Sequence, residues 1–239
     1  MVWIINLTLE AVKSVYYISK MSQIWFTSDQ HFGHRNIIKY SNRPFRDVDH
    51  MTTELINRHN SAVAKEDTVW HLGDFALDEK LVKPLLSKLN GVHHLISGNH
   101  DRCHSCHSRS TSAKRRYESY GFKEIYEQIM LDLPPLGEVM LCHMPYEGDS
   151  RENLRYMEFR PKDEGKLLLH GHVHEKWRFR NRIDTSLSLI NIGVDQWNYT
   201  PVSTDQIAEA ISCVSNTPQF AIFFQPEPLR DNNLQTNQD

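Results

Sequence analysis

Five short apolar runs, each leading into side chains able to bind a metal, constrain this chain more than anything else in it. The runs are Ile24–Thr27, Thr68–Leu72, Val92–Ile96, Glu138–Cys142 and Lys166–Leu169. Their β-branched and aromatic content reads as buried strand. Helical patterns lie between them. Val48–Ala64 places Val48, Met51, Leu55, Ile56, His59 and Val63 near one face, with Asp47 and Asp49 at its start. Glu79–Leu89 and Ala113–Tyr120 are shorter patterns, and Ser203–Val214 opens with Ser203 and carries acids in its early turns. Strands alternating with helices predict an α/β domain whose helices cover its sheets.

The residues just past each strand are the informative ones. The first strand runs into Ser28-Asp29-Gln30-His31 and the second into Gly73-Asp74. The third leads to Gly98-Asn99-His100-Asp101, the fourth to His143, and the fifth to His170-Gly171-His172-Val173-His174. In α/β sheets, ligands bind just outside the carboxyl ends of strands. A lone histidine beside a strand, or a lone Gly-Asp turn, usually means nothing. Five strand ends carrying such groups, three of them beside glycine, predict one shared pocket. Glycine there would let the backbone turn tightly, so that the next side chain points inward.

The donor types narrow the chemistry. They are carboxylate, imidazole and amide oxygen without thiolate, which suits Mn²⁺ best and also iron or Zn²⁺. Seven or eight donors are too many for one ion. They suit two divalent ions about 3.5–4 Å apart, bridged by a carboxylate and a hydroxide. Such a pair clamps a phosphoryl group, so hydrolysis of a phosphate ester by the bridging hydroxide is the reaction to expect.

Composition agrees. Histidine is over-abundant, at 14 of 239 residues, and it is the commonest metal-binding side chain. Hydrophobic residues at 39% fit a soluble globular domain able to bury a core. Four cysteines do not make a disulfide scaffold, and a cytoplasmic location is expected. A net charge of −3 offers no global basic field for nucleic acid or membrane.

The layout resembles the calcineurin-like metallophosphoesterase superfamily. The residues that carry the resemblance are Asp29-x-His31, Gly73-Asp74, Gly98-Asn99-His100-Asp101, His143 and Gly171-His172-Val173-His174, in the family's order from about Ile24 to Gly193. The small cap-less bacterial and phage-type members are most similar. They share a stretch like Asp29-x-His31-Phe32-Gly33-His34 followed by Asn36-Ile37-Ile38, and a late Gly193-Val194-Asp195-x-Trp197-Asn198-Tyr199. The resemblance implies a four-layer αββα sandwich, two mixed β-sheets flanked by helices. It also implies roles. Asp29, His31 and His174 would hold one metal, Asn99, His143 and His172 the other, with Asp74 bridging. His100 would act at the phosphate as proton donor or transition-state stabiliser, and Asp101 would orient it.

Two features depart from the family pattern. The long stretch between His31 and Gly73 holds the Val48–Ala64 helix and reads as an inserted element. The protein Ser/Thr phosphatases carry Gly-Asp-x-Val-Asp-Arg-Gly, whereas Gly73-Asp74-Phe75-Ala76-Leu77-Asp78-Glu79 lacks that arginine. A phosphoprotein substrate is therefore not expected.

Other candidates surround the pocket. His34, Asn99, His100 and Arg102 are candidates for binding substrate. Arg102–Arg116 carries five basic residues and no acid, so it reads either as an electropositive lid or as a solvated loop. Cys103-x-x-Cys106-His107 lacks the second cysteine pair of a zinc knuckle. Trp197 and Tyr199 read as packing residues, with Asp195 tying down their turn.

The expected division is residues 1–21 as an extension upstream of a start at Met21, 22–215 as the catalytic domain and 216–239 as a polar tail. The apolar start, interrupted by Glu10 and Lys13, falls short of the ~20 residues that span a bilayer. The expected function is a metal-dependent phosphoesterase acting on a small phosphorylated molecule, a nucleotide among the candidates. A nuclease, or a non-catalytic interaction scaffold, is the alternative on the same fold.

Overall fold

In the computed structural model, which describes residues 22–181 and 187–215, strand residues alternate between two faces. The expected extension at 1–21 and tail at 216–239 lie outside the described residues. The strands are β1 (Ile24–Thr27), β2 (Thr68–His71), β3 (Val92–Ile96), β4 (Ile125–Tyr126), β5 (Gln128–Asp132), β6 (Glu138–Cys142), β7 (Leu167–His170), β8 (Phe179–Asn181), β9 (Leu187–Asn191) and β10 (Val202–Ser203). The α-helices are α1 (Ile37–Tyr40), α2 (Val48–Ala62), α3 (Val82–Leu86), α4 (Ser110–Tyr120) and α5 (Thr204–Ser215).

Two mixed five-stranded sheets form, in the orders β10-β1-β2-β3-β4 and β5-β6-β7-β9-β8. In the first, β1 to β4 are parallel and β10 is antiparallel to β1. In the second, β6, β7 and β9 are parallel, with antiparallel β5 and β8 outside them. The sheets pack face to face through Phe26, Trp70 and Ile96 of one and Val139, Leu141, Leu169 and Ile190 of the other. The opposite face of the first sheet offers Leu95 to a second core with Met51, Leu55, Leu85 and Tyr117 from α2, α3 and α4. Cys142, Leu168 and Leu189 on the outer face of the second sheet are covered by Tyr146, Tyr156 and Trp177. This is the expected α/β pair of mixed sheets. The outer cover is helical on the first sheet and is formed by loop aromatics on the second.

Local chemistry sets the element ends. Asp47 caps α2 by accepting from the His50 amide at 2.8 Å. Because α2 supplies Met51 and Leu55 to the core, the stretch between His31 and Gly73 is a structural layer and not an appendage. The expected Glu79–Leu89 helix divides into a 3₁₀ turn, Glu79–Leu81, and α3. Pro84 explains the division: having no N–H, it is tolerated only in a helix's first turn, so α3 starts just before it. Ser203 and Gln206 bond reciprocally at the start of α5, at 3.2 and 2.9 Å, as a capping box. No helix among the described residues is long and apolar enough to cross a membrane.

Candidate metal centre

Parallel strands deliver their carboxyl ends to one edge, and there the loops lock together. The Asp29, His31 and Phe32 amides donate to the carbonyls of Gly73, Asp74 and Phe75, each at 3.0 Å. Ser28 pairs with Gly193, which joins the edge of the first sheet to the end of β9 in the second. The His172 amide donates to Asp29 Oδ2 at 3.0 Å, and the His100 amide donates to Asp74 Oδ1 at 2.9 Å.

These contacts gather the expected donors. Asp29, His31 and His174 place ligand atoms within 4.8 Å of one another, and so do Asp29, Asp74 and His143. Asp74 Oδ2 lies 3.4 Å from His31 Nε2 and 3.5 Å from His143 Nε2, between the two imidazoles. His143 Nδ1 is engaged with the Leu72 carbonyl at 2.7 Å, which turns Nε2 inward. Among the expected histidine donors, His172 stands outside those two tight groups. Asn99 is buried beside the Asp74 loop, and the His172 ring centroid is 5.3 Å from that of His143.

The backbone is strained where the donors sit. Asp29, His31, Asp74, His172 and His174 all have φ between 49° and 71°, the left-handed region. Each such residue costs about 1–2 kcal/mol, so the surrounding contacts must hold these side chains in place. Of the three glycines beside the donors, Gly73 has the expected turning role, at φ 93°. Gly98 and Gly171 serve differently. A Cβ on Gly98 would collide with Asp74, and one on Gly171 with Ser28 and Asp29. They are required for close approach and not for a turn.

Charge follows the same pattern. Burial would raise the Asp74 carboxyl, but His143, His31 and His100 outweigh it and hold it well below the usual carboxylate range. Burial would lower His143, yet Asp74 and Asp29 raise it to about 10. Burial keeps His31 well below the usual imidazole value, so it stays neutral and able to donate a lone pair.

The family model of the calcineurin-like phosphoesterase superfamily domain matches residues 23–204. The chain belongs to this superfamily. Gene 66 protein of Mycobacterium phage L5 is 32% identical over 204 residues, covering 80% of this chain and 95% of that protein. Gene 66 protein of phage D29 is 33% identical over 205 residues, covering 80% and 97%. An uncharacterized protein of Methanocaldococcus jannaschii is 34% identical over 199 residues, covering 80% and 92%. Among solved structures, a protein of unknown function from Aquifex aeolicus superposes with a TM-score of 0.60 at 26% identity, covering 80% of this chain and all of that one.

Members of this superfamily typically bind divalent metals, and the donors here fit that. His31 Nδ1 and Nε2, His143 Nε2 and Asn99 Oδ1 are buried with no hydrogen-bond partner. Buried polar atoms are normally paired, so a cluster of unpartnered buried nitrogen and oxygen atoms is what a cation site presents.

Around the centre, expectation and structure partly diverge. His34 and His100 stand over His31, with ring centroids 5.4 and 5.2 Å from it. Asp101 does not orient His100. Its carboxylate accepts from the amides of Asp74 (2.8 Å), Phe75 (3.2 Å) and Gly98 (2.9 Å), so it braces the loops that carry the donors. Arg102 lines a separate cleft of about 460 Å³ with Leu77, Asp78, Glu79, Lys80 and Tyr120, a cleft that no expected metal ligand lines. The basic stretch is not a loose lid. Cys103 and His104 are buried, α4 begins at Ser110, and Arg116 is held by Glu79 (Nη2 to Oε2, 2.8 Å). Trp197 and Tyr199 pack into the two main cores, as expected.

Two residues escape sequence reasoning. Arg43 is buried and donates to the carbonyls of Asp29 (2.7 Å) and Gln30 (3.0 Å). Asp149 is buried beside His172. A lone arginine before Pro44 carries no periodic signal, but Gly148-Asp149 repeats the Gly-Asp pair of Gly73-Asp74.

Proposed function

We propose that this chain is a dimetal phosphoesterase that hydrolyses a small phosphomonoester or phosphodiester, a nucleotide being one candidate. The observation that carries the reading is the convergence of Asp29, His31, Asp74, His143 and His174 on one buried centre. Asp29, His31 and His174 would hold one cation, and Asn99, His143 and His172 a second. Asp74 reaches both. The donor set favours Mn²⁺, with iron and Zn²⁺ also suited. Two cations bound there would polarise the phosphoryl oxygens and lower the pKa of an attacking water. The chain's own residues do the rest. The His100 amide holds Asp74, while its exposed imidazole, 5.2 Å from that of His31 between ring centroids, would donate a proton to the leaving oxygen. His34 stands beside it, ring centroids 6.5 Å apart, where it can touch the substrate phosphate.

A small substrate is favoured over nucleic acid by the −3 net charge and by the engagement of Arg116 with Glu79. We infer a cytoplasmic setting, since the buried thiols Cys103 and Cys142 stand free. The test is to count metals on the purified chain and assay 4-nitrophenyl phosphate, bis-4-nitrophenyl phosphate and DNA with Mn²⁺ added. Two ions per chain and turnover of a small ester without DNA cleavage are expected. Asp74→Asn should lose metal and activity together; an Asp74→Asn protein with two metals and full turnover would refute the reading.

A further inference from the structure

Each of the two histidines of Gly171-His172-Val173-His174 has one ring nitrogen close to a carboxylate that is not among the expected metal donors. His174 offers Nε2 toward Asp29, 4.0 Å from Oδ1, while its Nδ1 lies 3.4 Å from Asp195 Oδ2. Asp195 is gripped by Arg43, whose Nε and Nη2 each donate at 2.8 Å. His172 stands beside His143, and its Nε2 lies 3.2 Å from Asp149 Oδ2. Asp149 is gripped in turn by Arg155 Nη2 at 2.7 Å and Arg160 Nη2 at 3.1 Å. The Asp195 and Asp149 side chains are 1% and 0% exposed. Two loops from different parts of the chain thus place an arginine-held, buried carboxylate beside each histidine.

We propose that Asp195 and Asp149 are matched positioning residues, each fixing the tautomer and orientation of one histidine so that its other nitrogen is offered to a cation. Asp195 acts through His174 on one ion, and Asp149 through His172 on the other. A neutral imidazole has one N–H, and a carboxylate can only accept. The nitrogen facing the carboxylate therefore carries the hydrogen, and the opposite one carries the lone pair. That makes Nε2 the donor atom in His174 and Nδ1 the donor atom in His172. The arginines keep the carboxylates ionised and fixed, so the rings inherit their direction. Both contacts are of ion-pair length without hydrogen-bond alignment, which cation loading is expected to supply.

This inference rests on the dimetal reading, and the experiment separates the two. Mn²⁺ binding to the full chain is followed by calorimetry and by electron paramagnetic resonance, for wild type, Asp195→Asn and Asp149→Asn. Wild type should bind two ions and show the exchange-coupled spectrum of a close pair. Each variant should lose roughly 10–100-fold in affinity for one ion and keep the other, the usual cost of removing such a partner. Intermediate Mn²⁺ should then give the six-line spectrum of an isolated ion. In a His172→Ala background, Asp149→Asn should add no further loss, which a merely structural role would not produce. Melting in EDTA checks the fold. If Asp149→Asn does not fold, Arg155→Met loosens the same carboxylate from a side chain that is 29% exposed, and should weaken the same ion. Wild-type affinity for both ions in the variants would overturn the positioning roles. A wild type without a metal pair would overturn the phosphoesterase reading along with them.

Discussion

Replacing Gly98 by alanine tests how tightly the centre is built. A Cβ at position 98 would lie 2.7 Å from the Asp74 amide nitrogen and would collide with Asp74 Oδ1. Ordinary contact begins at 3.4 Å, so the Asp74 loop must retreat by about 0.7 Å. It has little freedom to do so. Asp101 holds the Asp74 and Gly98 amides together on one oxygen, Oδ2. Asp74 Oδ2 in turn sits between His31 and His143. Metal–ligand distances tolerate only about 0.2 Å, and a misplacement near 1 Å costs on the order of 10²-fold in rate. Gly98→Ala should therefore fold, bind Mn²⁺ at least tenfold more weakly, and lose about 10²-fold in kcat/KM on 4-nitrophenyl phosphate. Gly137→Ala is the control, since no atom lies within 4 Å of its Cβ position and its φ of 74° brings only local strain. It should cost about 1–2 kcal/mol of stability with no change in metal binding. Wild-type Mn²⁺ affinity in Gly98→Ala would refute the geometric reasoning.

Four further outcomes are expected. His100→Gln should keep both metals and lose about 10²-fold or more in kcat, whereas Asp101→Asn should act through stability: one amide N–H would face another donor, at about 1–3 kcal/mol, read by urea unfolding. An unchanged kcat in His100→Gln, or an unchanged unfolding midpoint in Asp101→Asn, would count against those roles. With Asp74 and Asp29 outweighing burial to raise His143 to about 10, an entering cation must displace its proton. Mn²⁺ affinity should then climb about tenfold per pH unit between roughly pH 7 and 9, with proton release seen by calorimetry in two buffers; no release would contradict this. In EDTA the fold should weaken in acid. Burial lowers His59 and His93 to about 4, so the unfolded chain, titrating near 6.5, takes up protons first. Each contributes stability that is present above about pH 6.5 and lost as pH falls toward 4, up to about 3 kcal/mol apiece. A flat unfolding free energy over that range would argue against it.

The strand ends were legible because their chemistry is local. The expected bounds of β1, β3 and β6 coincide with the observed ones, since each ends in buried side chains and is stopped there by polar residues. β4 and β10, at two residues each, are too short to carry a pattern. The donors Asp29, His31, Asp74, His143 and His174 come together as their spacing suggests. What spacing could not show is how they are held. Left-handed φ at His31, His172 and His174 is uncommon for any residue with a Cβ and is held by tertiary contacts. Asp101 sits next to His100 in the chain, yet its carboxylate turns to the Gly98 amide of its own loop and to the Asp74 and Phe75 amides of the neighbouring one. The roles of Arg43 and Asp149 exist only once distant loops meet.

The most direct measurement is anomalous diffraction from crystals of the full chain loaded with Mn²⁺. Two peaks about 3.5–4 Å apart, one beside Asp29, His31 and His174 and one beside Asn99, His143 and His172, with Asp74 between them, are expected. A single peak, or peaks away from Asp74, would contradict the account.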